Sequence, residues 1–226
     1  MRPVAFFVLC AAFTQGTVGV SIGWPWRNSD TQQRLGNDPP SGWHDPADGG
    51  GRMLDYSTIY YGEPLNVIIS GNSHPDVLTH QGLHKYAKSI GFSEECLGLH
   101  LGDLHSADLG DGEGRKYEQF LARQHYFPIW GTCWESLAGG NHFRAWQQKD
   151  TKAWFLAVSK EKYVGEHHQI IDDGYNIGRD YLVSRALRKG ARVEWREDLL
   201  KEGNEEINHG IAQDGRVAVL TVDYAL

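Results

Sequence analysis

Two strand-forming runs joined by a short polar connection constrain the fold of this chain more than any other feature. His142-Phe143-Arg144-Ala145-Trp146 and Trp154-Phe155-Leu156-Ala157-Val158 are aromatic-rich and flank Gln148-Lys149-Asp150-Thr151, which predicts a β-hairpin. Side chains alternate between the faces of a strand, so His142, Arg144 and Trp146 share one face. A simple register sets Trp154, Leu156 and Val158 beside them and turns Phe143, Ala145, Phe155 and Ala157 toward a helical layer.

The flanking patterns supply that layer. Leu65 to Ile69 reads as a strand ended by Ser70-Gly71-Asn72. Ser73 and Asp76 form a capping-box-like start, Leu83, Tyr86, Ala87 and Ile90 recur at helical spacing, and Gly91 is a C-terminal stop. Residues 92–114 are a Gly- and Asp-rich excursion, followed by a short helical pattern through Tyr117, Phe120 and Leu121. A second helix starts at Asp172 or Asp173, carries Arg185, Arg188 and Lys189 at its negative end, and stops at Gly190. Arg192 to Arg196 and Val217 to Val222 read as strands. The order strand, helix, strand, strand, helix, strand over residues 63–226 predicts an α+β, ferredoxin-like split βαβ domain: an antiparallel sheet with both helices on one face. Residues 21–62 read as an irregular N-terminal arm, rich in Pro, Gly, Asp and Trp.

Residues 1–20 read as a secretory signal peptide, with Arg2, a short apolar run from Val4 to Phe13, and small residues at Thr17, Gly19 and Ser21. The run is too short to span a bilayer and no later segment approaches an apolar span, so a secreted, extracellular protein without integral membrane association is expected. In an oxidising compartment Cys96 and Cys133 are expected to form one disulfide, the alternative being two buried thiols. A net charge of -7 leaves no basic stripe for nucleic acid or an anionic membrane surface. With 40% hydrophobic residues, the chain can build a core without a metal staple.

The densest polar run is Glu166-His167-His168-Gln169-Ile170-Ile171-Asp172-Asp173, followed by Arg179-Asp180. His167, His168 and Asp172 are the right donor types for zinc or another borderline divalent metal. Adjacent histidines diverge on a strand or a helix, so both reach one ion only from a turn. His100, Asp103, His105, Asp108 and Asp111 lie in the excursion without the EF-hand spacing and read as a solvated loop. His80 and His84 are one helical turn apart without a third ligand nearby. Nucleophile-elbow, Walker and dinucleotide-binding patterns are absent.

Glu63-Pro64-Leu65-Asn66, Asn141 to Trp146, Trp154 to Ala157, and the segment from His167-His168 to Arg179-Asp180 resemble the LssY-like C-terminal domain. In bacteria such domains are attached to membrane proteins of the lipid-phosphatase type, and stand-alone secreted copies occur in fungi. The resemblance spans residues 63–190, and its most specific residues are His142, Arg144, His167, His168, Asp172, Arg179 and Asp180. The chain departs from it at Gly178, where an acidic residue is expected, and in having no membrane segment. Two functions follow as expectations. One is an extracellular binding domain for a cell-wall, host-surface or lipid-like ligand, using the Trp-rich arm and the sheet face. The other is a metal- or His/Asp-dependent hydrolase of phosphoester or lipid-like substrates, with His142, His167 or His168 as acid, base or ligand and Arg144 or Arg179 holding an anion. Arg179 and Asp180 can instead be a buried ion pair that fixes the second helix on the sheet, with His142 or His168 supplying hydrogen bonds.

Overall fold

The hairpin lies in the middle of one mixed sheet in the computed structural model, which describes residues 39–94, 103–128, 131–133, 138–167 and 169–223. In chain order the strands are β1 (Val67–Ile69), β2 (Phe92–Ser93), β3 (Ser106–Asp108), β4 (Arg115–Tyr117), β5 (Phe120–Gln124), β6 (Gly140–Gln147), β7 (Trp154–Glu161), β8 (Arg192–Arg196) and β9 (Val217–Thr221). The helices are α1 (His80–Ser89) and α2 (Gly174–Arg188). The main sheet runs β2-β5-β6-β7-β1-β9-β8, and β3 with β4 forms a separate two-stranded ladder. All neighbours in the main sheet are antiparallel except β1 and β9, which are parallel. The sheet is therefore mixed where an antiparallel one was expected.

Both helices pack on one face. Phe143 and Ala145 of β6 join Trp154, Leu156 and Val158 of β7 in a core with Leu83 and Tyr86 of α1 and Leu182, Val183 and Ala186 of α2. The expected faces of β6 are correct, and those of β7 are reversed. The register pairs Arg144 with Ala157 and Trp146 with Phe155, because the connection after Gln147↔Trp154 comprises Gln148–Ala153. A one-residue slip flips every side chain to the other face. Buried Gln148 anchors the connection: its carboxamide accepts from His44 N at 2.9 Å and Thr151 Oγ1 at 2.8 Å and donates to the carbonyls of His44 and Leu109 at 3.1 Å.

The second face is also covered. Trp43, Met53, Leu65, Ala107 and Leu109 pack on Ile68, Trp146, Phe155, Ala157, Val217 and Val219, so the described part of the arm, residues 39–62, contributes to the core. Trp43, Trp146 and Trp154 are buried and Trp195 is half-buried. Trp24, Trp26, Trp130 and Trp134 lie outside the described residues, as do the signal segment and Cys96 with its expected bridge to Cys133.

Three local expectations change. The segment through Phe120 and Leu121 is a strand: Phe120 and Ala122 oppose Ala145 and Phe143 of β6, and that pairing outweighs the helical spacing. The cap of α1 is Thr79, whose hydroxyl accepts from Gly82 N at 3.0 Å, with the residues from Ser73 to Asp76 forming the preceding turns. From residue 103 to 114 the excursion supplies β3 and the turn of the β3–β4 ladder, pinned by Asp111, which accepts from Lys116 at 2.6 Å and from Lys149 N at 2.9 Å. At Gly178, α2 rests directly on β7, and a Cβ there would lie 2.5 Å from the carbonyl carbon of Ser159. No helix among the described residues is long and apolar enough to cross a membrane.

Candidate active site

Toward the Gly140 end of β6 the second face of the sheet turns from apolar to ionic. Strand register places Arg123 of β5 opposite His142 of β6, and His142 opposite Ser159 of β7. Arg123 is ion-paired with Glu161, and Arg144 Nη1 lies 2.5 Å from Glu118 Oε2. His142 Nδ1 is 3.3 Å from both Ser159 Oγ and Glu161 Oε1. Arg123, His142, Arg144, Ser159 and Glu161 are all buried. Burial pushes the His142 imidazole down to about 3, against the pull of Glu161, so it is neutral at physiological pH.

Against this row lies a second group that arrives from the covering segments. Asp55 and Glu63 are the two ends of one tight loop. Asp55 N donates to Glu63 O at 3.0 Å, and Glu63 N donates to Asp55 Oδ1 at 2.7 Å. Gly62 lets the loop close, since a Cβ there would stand 2.0 Å from Asp55 O. Asp55 Oδ2 meets His105 Nδ1 at 2.8 Å, and the backbone of His105 is clamped by Glu118, whose N–H donates to His105 O at 2.9 Å. One ligand-type atom each from Asp55, Glu63 and His105 lies within 4.8 Å of the others. Burial, then the charge of Asp55, raises the Glu63 carboxyl to about 7 despite His105 and Arg144, and its Oε2 is buried without a hydrogen-bond partner among the described residues. Burial disfavours the His105 imidazolium, but the hydrogen bond and charge of Asp55 outweigh it and raise its pKa.

These shifts set a pH dependence in metal-free buffer. The folded state holds the Glu63 proton more tightly than the unfolded chain, so its contribution falls as pH rises through about 7. His105 adds to the loss on the alkaline side, because its folded pKa also lies above its unfolded value. His142 acts oppositely, losing stability only as pH falls from the ordinary histidine range toward 3. Urea unfolding is therefore expected to show a more stable protein at pH 6 than at pH 8, with about 1 kcal/mol due to Glu63 and absent in Glu63→Gln. Equal stability at both pH values would mean that Glu63 is solvated.

The residues expected to carry chemistry divide into three groups. His142 and Arg144 belong to the buried ionic row. Arg179 belongs to a separate clamp, with Nη1 and Nη2 on the Asp214 carboxylate at 2.5 and 2.8 Å, Nε on Asp180 at 2.9 Å, and Nη1 on Arg216 O at 2.9 Å. His167 and Asp172 are exposed, and His168 lies outside the described residues. His80 and His84 pack edge-on against Trp154 and stacked on Phe120, with His84 also 2.9 Å from Glu94. Asp55 stands in no motif, His105 lies in a segment whose spacing suits a solvated loop, and Glu63 is marked only by the resemblance. No local spacing links these three residues. The available signal was chemical: a histidine within an acidic segment.

Glu161 connects the buried row to the surface, lining a cleft of about 630 Å³ with Gln124, His125, Asn141, Lys162 and Tyr163. The tip of the Asp55–Glu63 loop presents Ile59, Tyr60 and Tyr61 to solvent, with exposed Leu104 and Tyr117 on the neighbouring segments. Comparison with protein-family models, with curated proteins and with solved structures finds no match to this chain.

Proposed function

We propose that this protein is a hydrolase of ester or phosphoester substrates that carry an apolar group, with Asp55, Glu63 and His105 as its acid–base centre. The observation that carries the reading is the buried, unpartnered Glu63 carboxyl, poised near neutrality beside a His105–Asp55 pair at 2.8 Å. Such a group costs stability, and perturbed titratable clusters of this kind concentrate at catalytic sites. Asp55 orients the His105 ring through Nδ1, which leaves Nε2 to take a proton from attacking water. Glu63, protonated for part of the time at neutral pH, supplies a proton to the leaving oxygen.

Several further features agree with this reading. Ile59, Tyr60 and Tyr61 offer a surface for an apolar substrate portion, and Arg115, exposed and stacked 3.4 Å over Tyr56, offers positive charge to an anionic one. The Arg2 and Val4–Phe13 pattern supports secretion. A split βαβ core of the LssY-like kind is supported by the order β6-β7-β1 with both helices on one face, whereas β9 beside β1 runs parallel to it and β8, the strand after α2, lies at the sheet edge. The binding-domain reading uses the Trp-rich arm and the sheet face; of its tryptophans, Trp43, Trp146 and Trp154 are buried and Trp195 is half-buried, and Trp24 and Trp26 lie outside the described residues.

Chromogenic carboxyl and phosphate esters of short and long chain test the reading. Turnover is expected to fall about 10²-fold in His105→Ala and in Glu63→Gln, with long-chain preference reduced in Tyr60→Ser. Turnover that survives both centre substitutions, or no turnover of any ester by the parent protein, would overturn it.

A further inference from the structure

We propose that Asp55, Glu63 and His105 bind one divalent first-row cation of the Zn²⁺ or Mn²⁺ class. The inference rests on the same three residues as the hydrolase reading, in a metal-bound state that replaces the proton on Glu63 and the Asp55–His105 hydrogen bond of the metal-free roles, and its test does not need turnover. An imidazole with two carboxylates is a donor set for such ions, whereas Ca²⁺ takes six to eight oxygen ligands. Metal–ligand bonds of about 2.0–2.2 Å hold ligand atoms within about 4.4 Å of one another, so the 4.8 Å grouping already present needs only a small contraction.

The second observation is Glu63 Oε2. The residue is 4% exposed, its Oε2 is buried, and no hydrogen bond satisfies it among the described residues. A buried carboxylate oxygen without a proton donor of its own, on a residue grouped with two other ligand-type side chains, suits a cation. Among the described residues the carboxylates of Asp55, Glu63, Glu118 and Glu161 and the guanidiniums of Arg123 and Arg144 lie within electrostatic reach of one another. His105 Nδ1 and Asp55 Oδ2 share a proton across 2.8 Å, and an ion bound by both displaces it.

The supporting shell is in place. Asp55 Oδ1 is fixed by Glu63 N, and the backbone of His105 by Glu118. Partners of this kind orient metal ligands. None of these atoms belongs to the His167, His168 and Asp172 set, which makes the two locations experimentally separable.

The test is calorimetric titration of chelator-treated protein with ZnCl₂ and MnCl₂, with CaCl₂ and MgCl₂ as comparisons, alongside water-proton relaxation for Mn²⁺. Expected are about one equivalent of Zn²⁺ or Mn²⁺ and a raised melting temperature. Glu63→Gln keeps the side-chain shape, and together with Asp55→Asn it is expected to weaken binding at least about tenfold, folding being checked by circular dichroism. His167→Ala with Asp172→Ala is expected to leave affinity unchanged. No binding of either ion, binding retained in Glu63→Gln, or binding lost only in the His167 and Asp172 variant would each overturn the site. Stoichiometric binding without ester turnover would keep the metal site and remove the hydrolase reading. Turnover by chelator-treated protein that binds no ion would do the reverse.

Discussion

Replacing Arg144 with methionine is expected to lower the unfolding free energy by about 3–5 kcal/mol, measured by urea unfolding at pH 7. The side chain stands on β6, an interior strand of the sheet, is 6% exposed, and bonds Glu118 at 2.5 Å while facing Glu63 and Asp55. Methionine matches much of its length but leaves those carboxylates in a low-dielectric setting without their cation. The penalty should shrink near pH 5, because Glu63, held at about 7, is then protonated and no longer needs compensation. Adding Glu118→Gln to the methionine variant should recover part of the loss, since it removes one stranded charge. A cost below about 1 kcal/mol would mean that water reaches the cluster.

Gly178→Asp is expected to prevent folding, and Gly178→Ala to destabilise by about 1–3 kcal/mol. Helix propensity alone has the opposite sign, favouring alanine over glycine by about 1 kcal/mol in a helix interior. The sheet decides. Any Cβ at this position enters the backbone of Ser159, 2.5 Å from its carbonyl carbon and 2.6 Å from its Cα. Backbone cannot rotate aside as a side chain would, so α2 must lift off β7. Because Ser159 contacts His142 and lies two residues before Glu161 on the same strand, lifting the helix also disturbs the ionic row. Aspartate adds an unpaired buried charge to the clash. Thermal unfolding of the two variants measures both effects. A folded, stable Gly178→Asp protein would show that α2 can ride higher on the sheet, the arrangement an acidic residue before Arg179-Asp180 requires.

The parts of this molecule legible in its sequence are those that local periodicity specifies. The hairpin, the two helices, and the strands after α2 follow from side-chain alternation, helical spacing and glycine stops, each confined to a few consecutive residues. His142 and Arg144 were legible as members of a site because charged residues on an otherwise aromatic strand have no place in a core without partners. The β7 face was not legible, because it depends on the length of a connection that Gln148 ties to His44 and Leu109. The strand at Phe120 was not legible either, since its spacing suits a helix and only pairing with β6 decides the matter.

The site itself was decided almost wholly by tertiary structure. Asp55 and His105 are fifty positions apart and meet only because the Asp55–Glu63 loop and the β3–β4 ladder are folded over the second face of the sheet. No sequence pattern encodes the raised pKa of Glu63 or its unpartnered Oε2, since both arise from burial beside another carboxylate. Local pattern specified the hairpin, both helices, β1 and the strands after α2, and composition showed that the chain carries imidazoles and carboxylates enough for acid–base or metal chemistry. Which of them act together was settled by long-range packing, because desolvation and ligand geometry are properties of neighbours in space.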